Sequence, residues 1–408
     1  MAAQPPGGSK YLRVLRLPGA LRFSAASAVG RMTMSMFGLG SLLMISARTG
    51  RYGEAGIVSA VASVSYAISG ARLGRLTDRL GQHRVLRPQA IIFGIATAAF
   101  VACAQAAAPF WALLLTGCLT GASMPSLGSV VRARWSALLG ASPLLGTAYA
   151  LESVVDEMIF VVGPAVATLL ATEVQPAAGV VAAVVLCIAG TLALASQTGT
   201  EPPVAPPGRT AAGQAVRRPG GLPVPGLITL TPLFGFLGAM FSSIDLSTVD
   251  FAQEHGHKPL AGFLLGTYAL GSAIGGLWYG SRSWQARLER RFAATLCLTV
   301  AGVATFWLLP GLRSLAVVIF FAGLTISPTL IAGFGLIERQ APPARLTEGM
   351  AWLSSSVSVG VAAGAAIAGH IVDVGGARSG YIFAACCGGV AAVVCLAGMR
   401  RLRAVSAS

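Results

Sequence analysis

The chain has 408 residues, of which 55% are hydrophobic and only 11% charged, and its mean hydropathy is +0.74. Soluble globular domains carry about 25% charged residues, so water is excluded as the main solvent of this polypeptide. The net charge of +15 is spread between apolar runs and is not interleaved with aromatics in a polar domain. That distribution argues against a nucleic-acid partner and for a basic surface facing lipid headgroups.

Met1 to Lys10 is polar, and the run that follows, Pro18 to Ser46, is too long for the apolar region of a cleavable signal. It is long enough to cross a bilayer, and the pattern recurs down the chain. Apolar runs broken by charge or by Gly/Pro punctuation predict twelve helices, at 18–46, 54–74, 86–107, 109–131, 146–171, 176–197, 224–250, 260–280, 291–310, 314–337, 347–372 and 379–399. The one long polar break, Gln197 to Gly221, is rich in Pro, Gly and Thr and contains Arg209, Arg217 and Arg218, a linker composition. The expected fold is an all-α membrane protein made of two pseudo-symmetric six-helix bundles. Its parts are a tail over 1–17, a first bundle over 18–197, a linker over 198–223, a second bundle over 224–399 and a tail over 400–408.

With both termini and the linker on one side, only Arg48, Arg51, Lys258, Arg313 and Arg378 fall on the other, Arg31 lying inside the membrane. That asymmetry predicts cytoplasmic termini. Lysine occurs only at Lys10 and Lys258 among 29 basic residues, the usage of a high-GC bacterium, so the expected location is a bacterial inner membrane. The seven cysteines lie in apolar runs without metal-ligand spacing, and neither a metal nor a cofactor is expected.

The halves resemble each other. Gly121-Ala-Ser-Met-Pro125 and Gly323-Leu-Thr-Ile-Ser-Pro328 stand in the fourth helix of each, and Gly146-Thr-Ala-Tyr149 and Gly349-Met-Ala-Trp352 open the fifth. Pro125 and Pro328 are as far apart in the chain as Gly146 and Gly349, which suggests a parallel duplication about an axis along the membrane normal.

Between the second and third helices stands Gly74-Arg-Leu-Thr-Asp78-Arg79-Leu-Gly81-Gln-His-Arg84. This resembles the loop signature of the major facilitator superfamily, in which a glycine is followed by Asp-Arg and then by a glycine and a basic residue. The resemblance implies a loop that latches the two halves on the cytoplasmic side, with Asp78 facing the amino end of the eleventh helix near Leu346-Thr347-Glu348-Gly349. The residues themselves fit that role: Gly74 permits close helix approach, Gly81 a tight reversal, and the carboxylate would attract free helix N–H groups. The matching segment of the second half, Gly276-Leu-Trp-Tyr-Gly280-Ser-Arg282, lacks the acid. In the fifth helix, Gly163-Pro164 resembles the core of a motif of drug:proton antiporters, although Ile159, Ala167 and Thr168 replace the glycines expected around it. Pro164 removes a backbone hydrogen bond and is expected to bend the helix.

Charge inside a membrane marks function because each unpaired ion costs about 3 kcal/mol near the centre. The fifth helix carries Glu152, Asp156 and Glu157, the first two on one face and the third about 100° around the axis. They must face water, a cation or a proton. Acids withdrawn from water hold protons more readily, a property that a proton-coupled carrier requires. A structural network with Arg132 and Arg134 is the competing reading. In the seventh helix Asp245 lies within a Ser/Thr-rich patch. The resemblance makes the first and seventh helices equivalent, so Arg31 and Asp245 either bind substrate or pair across the halves.

The resemblance therefore implies a secondary transporter working by alternating access as a monomer. Export of a small amphipathic or cationic compound in exchange for protons is expected, with import or uniport of a small metabolite as the alternative. The acids suit a cation, whereas Arg31 suits an anion or zwitterion. No Gly-x-x-x-x-Gly-Lys-Ser/Thr loop is present for primary pumping, and no His-Glu-x-x-His or Gly-x-Ser-x-Gly supports the remote alternative of an intramembrane enzyme. A non-transporting receptor is equally remote.

Overall fold

A chain immersed in lipid must satisfy its backbone internally, and helices do so segment by segment. The computed structural model describes residues 10–49, 52–140, 142–204, 224–257 and 260–403. The tail residues 1–9 and 404–408, Arg51, Lys258 and the linker residues 205–223, with Arg209, Arg217 and Arg218 among them, lie outside the described residues. A short helix α1 (Lys10–Leu15) precedes α2 (Ala20–Thr49), α3 (Tyr52–Leu80), α4 (Gln82–Gln105), α5 and α6 (Phe110–Ser123 and Leu127–Leu139), α7 (Leu145–Glu173) and α8 (Ala178–Ala195). The second half comprises α9 (Pro225–Glu254), α10 (Leu260–Ser281), α11 (Leu288–Val303), α12 and α13 (Leu312–Gly323 and Ile326–Gln340) and α14 (Leu346–Ala397), and α15 (Met399–Arg403) follows it.

Among the described residues, eleven stretches are long and apolar enough to cross a membrane. The longest contains α14, whose 52 residues turn back at Gly376, at φ 70° and ψ −179°. Its two arms complete the twelve spans. Only glycine takes that backbone geometry without strain, and the Glu254 carboxylate at the end of α9 accepts a hydrogen bond from the Ala377 amide at 3.0 Å, capping the second arm.

The motif segment is not a loop. α3 continues to Leu80 and α4 starts at Gln82, so the reversal takes one residue, Gly81, at φ 95°. The sequence boundaries at 74 and 86 were set by charge. The helices instead carry those charges past the bilayer, since 29 residues at 1.5 Å each reach about 43 Å against a hydrocarbon core of about 30 Å. The fourth and tenth spans, expected to be continuous, each consist of two helices, interrupted at 124–126 and 324–325 beside Pro125 and Pro328. Just before each interruption, Gly121 and Gly323 press against the Ala62 and Tyr268 carbonyls of α3 and α10, the equivalent helices of the two halves.

In the first half, α2 packs on α7 and α8, α3 on α5, and α4 on α5 and α8. In the second, α9 packs on α14, α10 on α12, and α11 on α13 and α14. The halves meet where α3 runs beside α14 and α7 beside α10 and α13.

Candidate functional site

Four charged side chains converge where α2, α6 and α7 meet. Glu152 and Asp156, one turn apart on α7, present both carboxylates to the single Arg31 guanidinium on α2. Nη2 pairs with Glu152 and Nη1 donates to Asp156 Oδ1 at 2.6 Å. Glu152 also accepts hydrogen bonds from Ser24 Oγ and Trp135 Nε1, both at 2.7 Å. The second Asp156 oxygen accepts from Arg132 Nη2 at 2.8 Å, and the Arg132 guanidinium stacks over Phe334 of α13 at 4.2 Å, reaching the other half. Two arginines and two carboxylates leave the set neutral, which is what makes burial in lipid tolerable. Arg31 and Glu152 are 1% and 0% exposed, whereas the Asp156 side chain is 28% exposed. Asp156 is the exposed edge of the network.

The structure does not join Arg31 to Asp245. The i,i+4 pair of carboxylates in its own half takes both terminal nitrogens of Arg31, and its buried Nε has no partner among the described residues. Arg134 does not join Arg132 either. It donates instead to Gln82 Oε1 at 2.6 Å, Gln197 O at 2.8 Å, Thr200 Oγ1 at 2.9 Å and Leu194 O at 3.0 Å, tying α4, α8 and the start of the linker together. Glu201, which directly follows the Thr198–Thr200 turn, accepts from the His83 ring at 2.8 Å.

Glu157 faces the second half. Its carboxylate accepts a hydrogen bond of 2.5 Å from Ser272 Oγ on α10 and lies 3.5 Å from Ser327 Oγ on α13, the two serines being 2.9 Å apart. No cation pairs with it among the described residues. Asp245, on α9, is exposed although it lies well inside a membrane span. An ionisable group at that depth is held off the lipid, and Asp245 lies within electrostatic reach of Glu157 and Tyr268, at the contact of α7 with α10. Tyr268 is 7% exposed and its hydroxyl has no hydrogen-bond partner among the described residues.

On the face carrying Gly81 the halves are closed. Asp78 Oδ1 and Oδ2 accept from the Thr347 and Glu348 amides at 3.2 and 3.0 Å, capping α14. Arg75 pairs with Glu348 at 2.6 Å, and Arg345 reaches the same carboxylate at 2.7 Å. Gly74 lies so close to α14 that a Cβ there would stand 3.0 Å from Glu348 Cα. Arg79 and Arg84 are exposed. Further joints are Tyr11 to Leu277 O and Thr147 to Gly280 O, both at 2.6 Å, and Ser136 to Glu338 at 3.1 Å. Burial pushes the Tyr11 phenol up to about 12, so it remains a donor. Glu157 is the deepest of these joints, twelve residues or about 18 Å from the start of α7. Farther along, Pro164 stays within α7, and Ser35 of α2 donates to the Ile159 carbonyl at 2.9 Å in the turn before it, with Gly163 packed against the same serine.

A family model described as Major Facilitator Superfamily matches residues 23–256 and 228–407. The chain belongs to the major facilitator superfamily. No curated protein sequence matches it. Among solved structures, the human organic anion transporter MFSD10 aligns with a TM-score of 0.68 at 17% identity, covering 98% of this chain and 100% of the other. A bacterial homologue of the iron transporter ferroportin in its outward-facing state aligns with a TM-score of 0.69 at 14% identity, covering 93% and 98%. The E. coli fucose:proton symporter aligns with a TM-score of 0.67 at 14% identity, covering 95% and 99%. At these identities the likeness is one of fold. The family and these neighbours are transporters of small molecules and not enzymes, and the chain is a multi-pass membrane transporter.

Sequence reading missed Ser24, Trp135, Ser272, Ser327, Arg75 and Glu348 as partners. Only Arg75 and Glu348 left a signal, as opposite charges in the two segments expected to meet.

Glu152→Ala strands Arg31 beside one remaining acid and is expected to cost about 3–5 kcal/mol, as loss of one member of a buried ion pair does. Thermal unfolding in detergent checks this, and the double variant Arg31→Met with Glu152→Leu should recover most of the loss. Asp78→Ala removes two cap hydrogen bonds worth about 0.5–2 kcal/mol. It should raise the labelling rate of a cysteine placed at Ser355, which is buried against Gly70, by about 2- to 30-fold in a cysteine-free background.

Proposed function

We propose that this transporter exports a small amphipathic or cationic compound in exchange for protons, by alternating access, as a monomer in a bacterial inner membrane with both termini cytoplasmic. The observation that carries the reading is Glu157: a carboxyl group at the deepest joint between the halves, held by hydroxyls and by no cation. A hydroxyl serves either protonation state. Ser272 Oγ donates to the carboxylate, or accepts from the carboxylic acid while donating to Ser327.

Parting the halves withdraws Glu157 from both serines. A neutral acid loses two ordinary hydrogen bonds in that step, whereas an ion loses two charge-assisted ones, a larger penalty until water enters the opened seam. Protonation from the side opposite the motif thus favours opening of the motif face, and release of the proton there favours closure. Gly74, Asp78 and the Arg75–Glu348 pair supply the gate, with Arg79, Gly81 and Arg84 as its basic turn. The Gly163–Pro164 pair eases movement of α7. The bundles 18–197 and 224–399 act as the two moving bodies.

The substrate class follows from charge. Arg31 is sealed and neutralised by Glu152 and Asp156, so the ionisable groups left facing the cleft are Asp156, Glu157 and Asp245, all acidic. They favour a cation and give an anion no counter-charge.

Flux into proteoliposomes across a panel of organic cations, with and without a pH gradient, tests the reading. Glu157→Gln should abolish accumulation driven by the gradient and leave substrate exchange without a gradient within about twofold of wild type, because the amide keeps both hydrogen bonds of the ground state. If Glu157→Gln and Asp245→Asn each still concentrate substrate, coupling does not reside in this pair.

Orientation is testable separately. In a cysteine-free variant of intact cells, an impermeant thiol reagent added outside should label a cysteine at Arg378 and spare one at Arg209. Equal labelling would reverse the assignment of sides.

A further inference from the structure

The repeat makes α10 the counterpart of α3, and α7 the counterpart of the first arm of α14. The joint between α3 and α14, where Asp78 sits, therefore has a twin between α10 and α7, and that twin lacks the acid. Gly280 follows Gly276 by four residues, as Asp78 follows Gly74. A Cβ at Gly280 would stand 2.2 Å from Ala150 Cβ and 2.6 Å from Tyr11 Oη. The helices approach too closely here for any side chain, so the carboxylate of the first joint cannot be repeated in the second.

The second joint is made with the opposite polarity. α14 offers Asp78 the free amides of a helix start, whereas the end of α10 offers carbonyls, those of its last turn having no partner within the helix. Thr147 Oγ1 on α7 donates to Gly280 O and Tyr11 Oη on α1 donates to Leu277 O, both at 2.6 Å, and Gly276 O lies 3.4 Å from the same phenol. Thr147 is 2% exposed, so its hydroxyl has no water to replace that carbonyl while the joint is closed.

α1 is carried by the first half. It packs on α7 and α2, and its Val14 is fully buried. The corner that joins it to α2 turns at Gly19, at φ 78°, where a Cβ would stand 2.7 Å from Cγ2 of Thr200, the residue whose hydroxyl Arg134 holds. Tyr11 thus reaches the second half from a platform fixed to the first on two sides.

We propose that Tyr11 and Thr147 are gating residues, a second latch on the motif face that acts together with Asp78, and that α1 is part of the gate. This rests on the alternating access proposed above, because the two hydroxyls bridge the halves only while this face is closed. One acid on amides and two hydroxyls on carbonyls secure the two pseudo-symmetric joints, so both latches oppose the same movement.

Thiol labelling of Ser355→Cys in the full chain, in a cysteine-free background and in detergent, tests the proposal, since Ser355 lies at the other joint, against Gly70 of α3. Tyr11→Phe keeps the ring and removes only the donor. It should raise the labelling rate about 2- to 10-fold, the worth of one hydrogen bond, and Thr147→Val should do the same. Combined with Asp78→Ala, the Tyr11→Phe effect should multiply, as separate restraints on one equilibrium do. A hydroxyl that merely fixes α1 in place would leave the distant Ser355 site at its original rate. Unchanged labelling in both hydroxyl variants, with Asp78→Ala still raising it, overturns the second latch and leaves alternating access standing. No change in any of the three variants removes the gate from this face, and both readings with it.

Discussion

Charge carried into a membrane must be answered by charge or by water, and that constraint orders the interior of this protein. Arg31, Glu152, Asp156 and Arg132 answer one another and are neutral together. They fasten α2, α6 and α7 into one body, and Arg132 extends the fastening onto Phe334 of the other half. With both guanidinium groups committed to Glu152 and Asp156, no arginine of this set is left for Glu157, which meets serine hydroxyls, or for Asp245. The division between paired and unpaired acids follows from which carboxylates a guanidinium can reach.

The same logic governs the joint between the halves. Near the motif face it is made of ion pairs and capped amides, with Asp78, Arg75 and Glu348 at its centre. Deeper in, where ions are expensive, it is made of serine hydroxyls on one carboxyl group. The polarity of the seam thus falls with depth, and its innermost element is the one whose hydrogen bonds survive a change of protonation.

Much of this was legible in the chain. Twelve spans followed from hydropathy, and the four-residue spacing of Glu152 and Asp156 placed them on one face, where both meet Arg31. Helix ends were harder. Arg75, Asp78 and Arg79 look like loop residues because they are charged, yet they ride on a helix that outlasts the bilayer, and Gly81 alone makes the turn. Ser24, Trp135, Ser272 and Ser327 carried no signal because serine and tryptophan are ordinary in membrane helices and their partners lie more than a hundred residues away, or on a different helix. Of the two readings of Arg31 and Asp245, the pair across the halves is not formed in this structure, because a nearer pair of acids meets the arginine.

Two acids in this protein cap helix starts, and they do so under opposite circumstances. Glu254 and the Ala377 amide belong to the same half, so their bond travels with the body that contains it and is never asked to break. Asp78 and α14 belong to different halves, so under the proposed alternating access the same kind of bond is made and lost in every cycle. A cap of this type is worth about 0.5–2 kcal/mol, only one to three times the thermal energy. That is strong enough to bias a two-state equilibrium by about an order of magnitude and weak enough for one such bond to be broken readily, so that under the proposed cycle one chemical device is a rivet within a half and a catch between the halves.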